Sequence, residues 1–127
     1  MSEARKVAIN PSFLMNAPAQ GFSQAIRTGD TVYCSGQVSR AEGLEAQVRE
    51  AFTNVRSLLA YAGATMADIV KITIYTTDPD CWSKTFALRN EYLKPPFPAM
   101  TMVVVKGLAL AEFLIEIDVT AVIGAGS

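Results

Sequence analysis

Residues 113–123, Phe-Leu-Ile-Glu-Ile-Asp-Val-Thr-Ala-Val-Ile, alternate with a period of two. In a strand successive side chains point to opposite faces, so Ile115, Ile117, Val119 and Ala121 share one face and Leu114, Glu116, Asp118, Thr120 and Val122 the other. The first face is assigned to a core covered by helices. The second carries two carboxylates inside an apolar run, and such groups are costly to bury without a partner or a task. Glu116 is therefore the first candidate for a functional residue.

The rest of the chain supplies the elements that such a strand needs. Gln20–Arg27 and Thr31–Val38 flank the turn Thr28-Gly29-Asp30 and read as a hairpin, with Gly36 marking a bulge or a close backbone approach. From Leu44 to Ala62, Val48, Ala51, Phe52, Val55, Leu58, Leu59 and Ala62 recur at helical spacing, opposite Glu45, Arg49, Glu50 and Arg56; Gly63 stands where a helix-ending glycine would. Thr65 and Asp68 have capping-box spacing. Ile69–Thr77 alternates as a strand and Asp78-Pro79-Asp80 breaks it. A second helix is predicted over Cys81–Leu93, stopped by Pro95-Pro96, and two last strands over Ala99–Lys106 and Phe113–Ile123. The order β-β-α-β-α-β-β defines an α+β fold, one sheet with two helices on one face. Residues 1–127 are read as one domain, with 1–19 a loosely held arm and 124–127 a frayed tail. Met100, Met102 and Val104 share one face of their strand. If the last two strands are antiparallel neighbours, those residues join Glu116 on the open face, a mixed surface suited to a subunit interface with a pocket in it.

Half of the 127 residues are hydrophobic and 18% are charged, which excludes a disordered chain. A domain of this size buries roughly two-thirds of its unfolded surface, and the surplus of apolar residues points to a homo-oligomer. The 11 Lys and Arg are scattered and the net charge is −1, so no nucleic-acid partner is expected. The absence of His removes Ser-His-Asp and Cys-His catalysis and His-ligated metals. Cys34 and Cys81 lack metal spacing and read as reduced thiols, Cys34 a small strand residue and Cys81 a helix-start residue. The apolar runs are too short to span a membrane, and MSEARKVAIN lacks the apolar stretch of a signal peptide, so a cytoplasmic location is expected.

Several segments together resemble the RidA/YjgF family of enamine/imine deaminases: Ser35-Gly36-Gln37, the helix with Asn54-Val55, Asp68-Ile69-Val70-Lys71, Pro98-Ala99 and Ile115-Glu116-Ile117. They are collinear from about residue 20 to 123. The resemblance implies a chorismate-mutase-like fold with a single mixed β-sheet, and a homotrimer whose sheets form a central β-barrel with pockets between subunits. It also implies metal- and cofactor-independent hydrolysis of a small-molecule enamine or imine to a carbonyl compound and ammonia. Residue by residue, the catalytic Glu falls on Glu116, the pocket Ser on Ser35 and the N-terminal aromatic on Phe22. The Arg that would bind a substrate carboxylate falls on Met100, with Met102 two residues on, so this chain departs from the pattern at its anion-binding position. Arg89, on the second helix near a pocket-proximal position of relatives, is the candidate replacement cation. Loss of the Arg leaves a second reading open, a non-catalytic small-molecule- or partner-binding trimer on the same scaffold.

Overall fold

The computed structural model describes residues 5–127; the first four residues of the expected arm lie outside them. Six strands form one mixed sheet. They are β1 (Val7–Ile9), β2 (Ala25–Thr28), β3 (Thr31–Cys34), β4 (Ile69–Thr76), β5 (Ala99–Val104) and β6 (Ile115–Val122). The spatial order is β1-β2-β3-β6-β4-β5, so the last strand is inserted at the centre. Three helices, α1 (Leu44–Ala62), α2 (Cys81–Lys84) and α3 (Phe86–Tyr92), cover one face. The α+β architecture with a single mixed sheet is the one the sequence predicts.

The central strand explains the layering. Ile115, Ile117, Val119 and Ala121 are buried, together with Ile72 and Ile74 of β4 and Val32 of β3. They meet the α1 stripe of Val48, Ala51, Phe52, Val55, Leu58, Leu59 and Ala62. Each fully buried Val, Ile, Leu or Phe contributes about 1.5–3 kcal/mol of transfer free energy. Helix α1 ends at Gly63 in the left-handed region (φ 95°), whose N–H donates to the Ala60 and Leu59 carbonyls. Gln47 is a buried polar side chain in this layer. Gln47 donates from Nε2 to the carbonyls of Ala41 (3.0 Å) and Glu112 (2.9 Å) and accepts from the Leu114 N–H (2.8 Å), so α1 fixes where β6 begins.

Four expectations are corrected. The second helix is broken at Thr85, whose hydroxyl bonds back to the Cys81 carbonyl (2.7 Å) and competes with the helical ladder. Residues 7–9, read as arm, form β1, paired antiparallel with β2. The tail is tied down, because the Gly126 N–H donates to Asp68 Oδ1 (2.9 Å). Most consequential, β5 and β6 are not neighbours. β4 separates them, and β5 runs parallel to β4 because α2 and α3 form the crossover between them.

Asp68 joins two of these features. It is buried, its Oδ2 accepts the Thr65 N–H (2.9 Å) in the capping box, and its Oδ1 holds the tail. Burial alone would raise its pKa, but the backbone N–H groups of Gly126, Thr65 and Gly124 outweigh that and hold it below the ordinary value. Asp68→Ala leaves those donors without their acceptor and is expected to destabilise the fold by about 1–3 kcal/mol at pH 7 in urea unfolding. Because folding lowers this pKa, the stabilisation is complete above the unfolded value of about 4. The difference between wild type and Asp68→Ala should shrink as the pH falls through the native value.

Candidate functional site

The face of the sheet opposite the helices carries the acidic pair. The β4–β6 register sets Glu116 opposite Tyr75, Asp118 opposite Thr73 and Thr120 opposite Lys71. The β4–β5 register continues the face through Val103 and Thr101, and the β3–β6 register through Tyr33. Lys71 Nζ donates to Thr101 Oγ1 (2.7 Å). Glu116 and Asp118 are half-buried. Burial, then the neighbouring Asp118 charge, raises the Glu116 pKa; burial raises that of Asp118, partly offset by Lys71. A carboxyl so placed exchanges a proton at higher pH than a solvated one.

Gly36 forms the wall beside Glu116. A Cβ built there would overlap the Glu116 carboxyl group, so only glycine lets the backbone lie against it. This is the close approach that Gly36 signalled in the sequence. Its neighbour Ser35 donates from N to the Gln24 carbonyl (2.8 Å) and from Oγ to the Ser23 carbonyl (2.7 Å). Those bonds tie the segment to the loop that carries Phe22, which is 42% exposed. Ser35, Gly36 and Glu116 are thus brought together, with Phe22 on the adjoining loop.

Met100 and Met102 are not brought to this face within one chain. Their partners across the ladder are Ile72 and Ile74, both buried under the helices, and both methionines pack against that core. The conditional placement of these residues with Glu116 is therefore corrected, for the reason given above: β5 pairs in parallel with β4 and does not touch β6. Arg89 also lies in the helical layer, 4% exposed, with Nη1 donating to the Trp82 carbonyl (2.9 Å) and Thr85 Oγ1 (2.6 Å). Its guanidinium stacks on Trp82 (4.5 Å to the ring centroid). Trp82 and Phe86, which flank it, are more than half exposed. Two surface clefts, one between α1 and α3 and one between α1, the 92–98 loop and the tail, lie in the helical layer and do not border Glu116. Among the described residues, no three His, Cys, Asp or Glu side chains gather to hold a metal ion. No helix among them is long and apolar enough to cross a membrane.

A half-buried carboxyl with a raised pKa, set against a glycine backbone on the uncovered face of a mixed sheet, is a group suited to holding and releasing a proton. The profile of the family described as Endoribonuclease L-PSP matches residues 14–123. The RutC family protein YjgH of Escherichia coli is 40% identical over 104 residues, covering 76% of this chain and 79% of that protein. A Dermatophagoides farinae protein named 2-iminobutanoate/2-iminopropanoate deaminase is 30% identical over 94 residues, covering 68% of this chain and 73% of the relative. Rv2704 of Mycobacterium tuberculosis, a crystal structure from the YjgF/YER057c/UK114 family, superposes with a TM-score of 0.85 at 29% identity, covering 94% of this chain and all of that one. The chain belongs to the RidA/YjgF family.

Sequence reasoning singled out Gln37 only as part of the Ser35-Gly36-Gln37 resemblance and missed Gln24; the two are buried and pin the loop and the Gly36 segment together. A glutamine beside each of two sheet segments was the available signal. Cys34 is a buried core thiol pushed up to about 12 by burial and by Asp118. At pH 8 its thiolate fraction is about one part in ten thousand. Native protein should leave Cys34 unmodified by a thiol-specific reagent at pH 8, and denatured protein should react fully, as counted by mass spectrometry.

Proposed function

We propose that this protein hydrolyses a small imine, or the enamine that tautomerises to it, to the carbonyl compound and ammonia, with Glu116 as the acid–base group. The observation that carries the reading is the Glu116 carboxyl held half-buried against Gly36 beside Asp118. In this mechanism the Glu116 carboxylate takes a proton from water as the water oxygen bonds to the imine carbon. The C=N π electrons move to nitrogen, which receives that proton back from Glu116, giving a carbinolamine that carries –OH and –NH2 on one carbon. Glu116 then carries the hydroxyl proton to nitrogen as the C=O bond forms and the C–N bond breaks, so that NH3 leaves and imine and water become carbonyl compound and ammonia. An enamine enters the same sequence by accepting a proton at carbon. The two carboxylates on this face would repel the phosphodiester backbone that the family's descriptive name suggests.

The site in this proposal is completed by a second copy in a homotrimer. β5 is an edge strand with Val103 and Val104 exposed, and Met100 lies along it. An edge strand of one copy laid beside Glu116 of another would supply the thioether where the resemblance places an Arg. Met100 offers no charge to a carboxylate, so the preferred substrate is an imine with an apolar or weakly polar tail. The same absence favours, as a second reading, a trimer that binds such a molecule without turning it over. A cytoplasmic site of action belongs to the same proposal, supported by two free thiols, Cys34 and Cys81.

Ammonia release from a panel of enzymatically generated imines tests the reading. Glu116→Gln should lower kcat by about 10²–10⁴-fold. Met100→Arg should lower KM for 2-imino acids by about tenfold or more, the size of one charge-assisted carboxylate contact. Wild-type ammonia release equal to that of Glu116→Gln on every substrate would exclude the hydrolase, and saturable binding without release would leave the second reading.

A further inference from the structure

Glu116 accepts no hydrogen bond from any described residue. Its carboxyl lies against the Gly36 backbone, where a Cβ would overlap it. What fixes Gly36 therefore fixes Glu116. The residue after Gly36 pairs with the residue after Glu116: Gln37 N–H donates to the Ile117 carbonyl (2.8 Å) and Ile117 N–H to the Gln37 carbonyl (3.0 Å). The Gln37 side chain then turns back. Its Nε2 donates to the Ser35 carbonyl (3.2 Å) and to Gln24 Oε1 (3.0 Å). Gln24 in turn donates from Nε2 to the Met15 carbonyl (3.0 Å), and its N–H donates to Asn10 Oδ1 (2.9 Å). Both glutamines are 4% exposed. Two buried amides, one donating to the other and each donating to a backbone carbonyl, are costly to break, because each loss strands a buried donor or acceptor.

We propose that the Gln24–Gln37 amide pair is the positioning device of this site, clamping the Ser35–Gln37 segment onto β6 so that Gly36 walls in the Glu116 carboxyl. The proposal rests on the reading of Glu116 as the acid–base group. Neither glutamine touches the reacting atoms; both act through Gly36. The loop carrying Phe22 and Ser23 hangs on the same pair, so the clamp sets the aromatic side of the site as well. The other titratable or charged groups facing Glu116 are Asp118 on its own strand, Tyr75 and Lys71 on β4 and Tyr33 on β3. All of these stand on strands, outside the clamped segment, so loosening the clamp changes the solvation of Glu116 without removing a charge.

The test is a carbon-13 NMR titration of the Glu116 side-chain carboxyl, assigned with Glu116→Gln, in full-length wild type, Gln37→Leu, Gln24→Ala and a core control, Val55→Ala. A working clamp predicts that Glu116 in both glutamine variants titrates at lower pH than in wild type, by about half a unit or more, as its carboxyl regains water. Val55→Ala, destabilised in α1 alone, should titrate as wild type. Gln24→Ala keeps the Gln37–Ile117 pairing and the bond to Ser35, so it carries the test if Gln37→Leu does not fold. Unchanged titration in the folded glutamine variants, or an equal shift in Val55→Ala, would overturn the clamp. The titration needs no substrate: loss of the proposed deaminase activity would leave its result standing, and an active enzyme with an unmoved Glu116 would overturn the clamp alone.

Discussion

The pairing of β6 between β3 and β4 is the constraint on which the rest of this molecule depends. One face of that strand closes the core with Ile115, Ile117, Val119 and Ala121, and the other presents Glu116 and Asp118. A one-residue slip would exchange the faces, putting carboxylates under α1 and isoleucines into the open. Register and the placement of Glu116 are thus tied together by the same eight residues. Gln47 guards the start of the strand from the helical side, and the Gln37–Ile117 pairing guards it from the β3 side.

The site follows from the limits of that arrangement. A single chain offers a surface at Glu116, and its pKa is raised by partial burial and by the neighbouring Asp118 carboxylate. Catalysis of the kind proposed needs water excluded and the substrate oriented, which a flat sheet face does poorly. Val103 on the β5 edge adds exposed apolar surface to that face, and Trp82 and Phe86 add it on the helical side. Arg89 sits beneath those two aromatics with its charge spread over Trp82 and hydrogen-bonded to its own helices, an arrangement in which it braces the α2–α3 corner.

Much of this was legible from residue types. The two faces of β6, the α1 stripe, its end at Gly63, the Thr65–Asp68 cap and the close approach at Gly36 each follow from a local rule of period or backbone freedom. What local rules do not give is which strands become neighbours. The insertion of β6 between β3 and β4 is a long-range pairing, and it moved Met100 and Met102 to the opposite face from Glu116. The parallel run of β5 was within reach, since a strand–helix–strand unit makes its strands parallel. β1 escaped notice because three residues with weak alternation look like an arm until β2 is there to pair with them. The tail looks free in sequence because Asp68 fits a capping box by spacing, and no local rule shows that its second oxygen reaches Gly126. Family resemblance located Glu116, Ser35 and Phe22 in one region, but it could not show that Gly36 and two buried glutamines hold that region together.

The central claim, that Glu116 supplies the base for attack of water on an imine, is tested most directly by the pH dependence of kcat/KM for ammonia release. Water attack requires the carboxylate, so the rate should rise with pH through an ionisation lying above the value of about 4.3 for a free glutamate. The same limb should be absent from the residual activity of the glutamine variant at position 116. A limb that persists in that variant, or a wild-type rate indifferent to pH across the range, would contradict it.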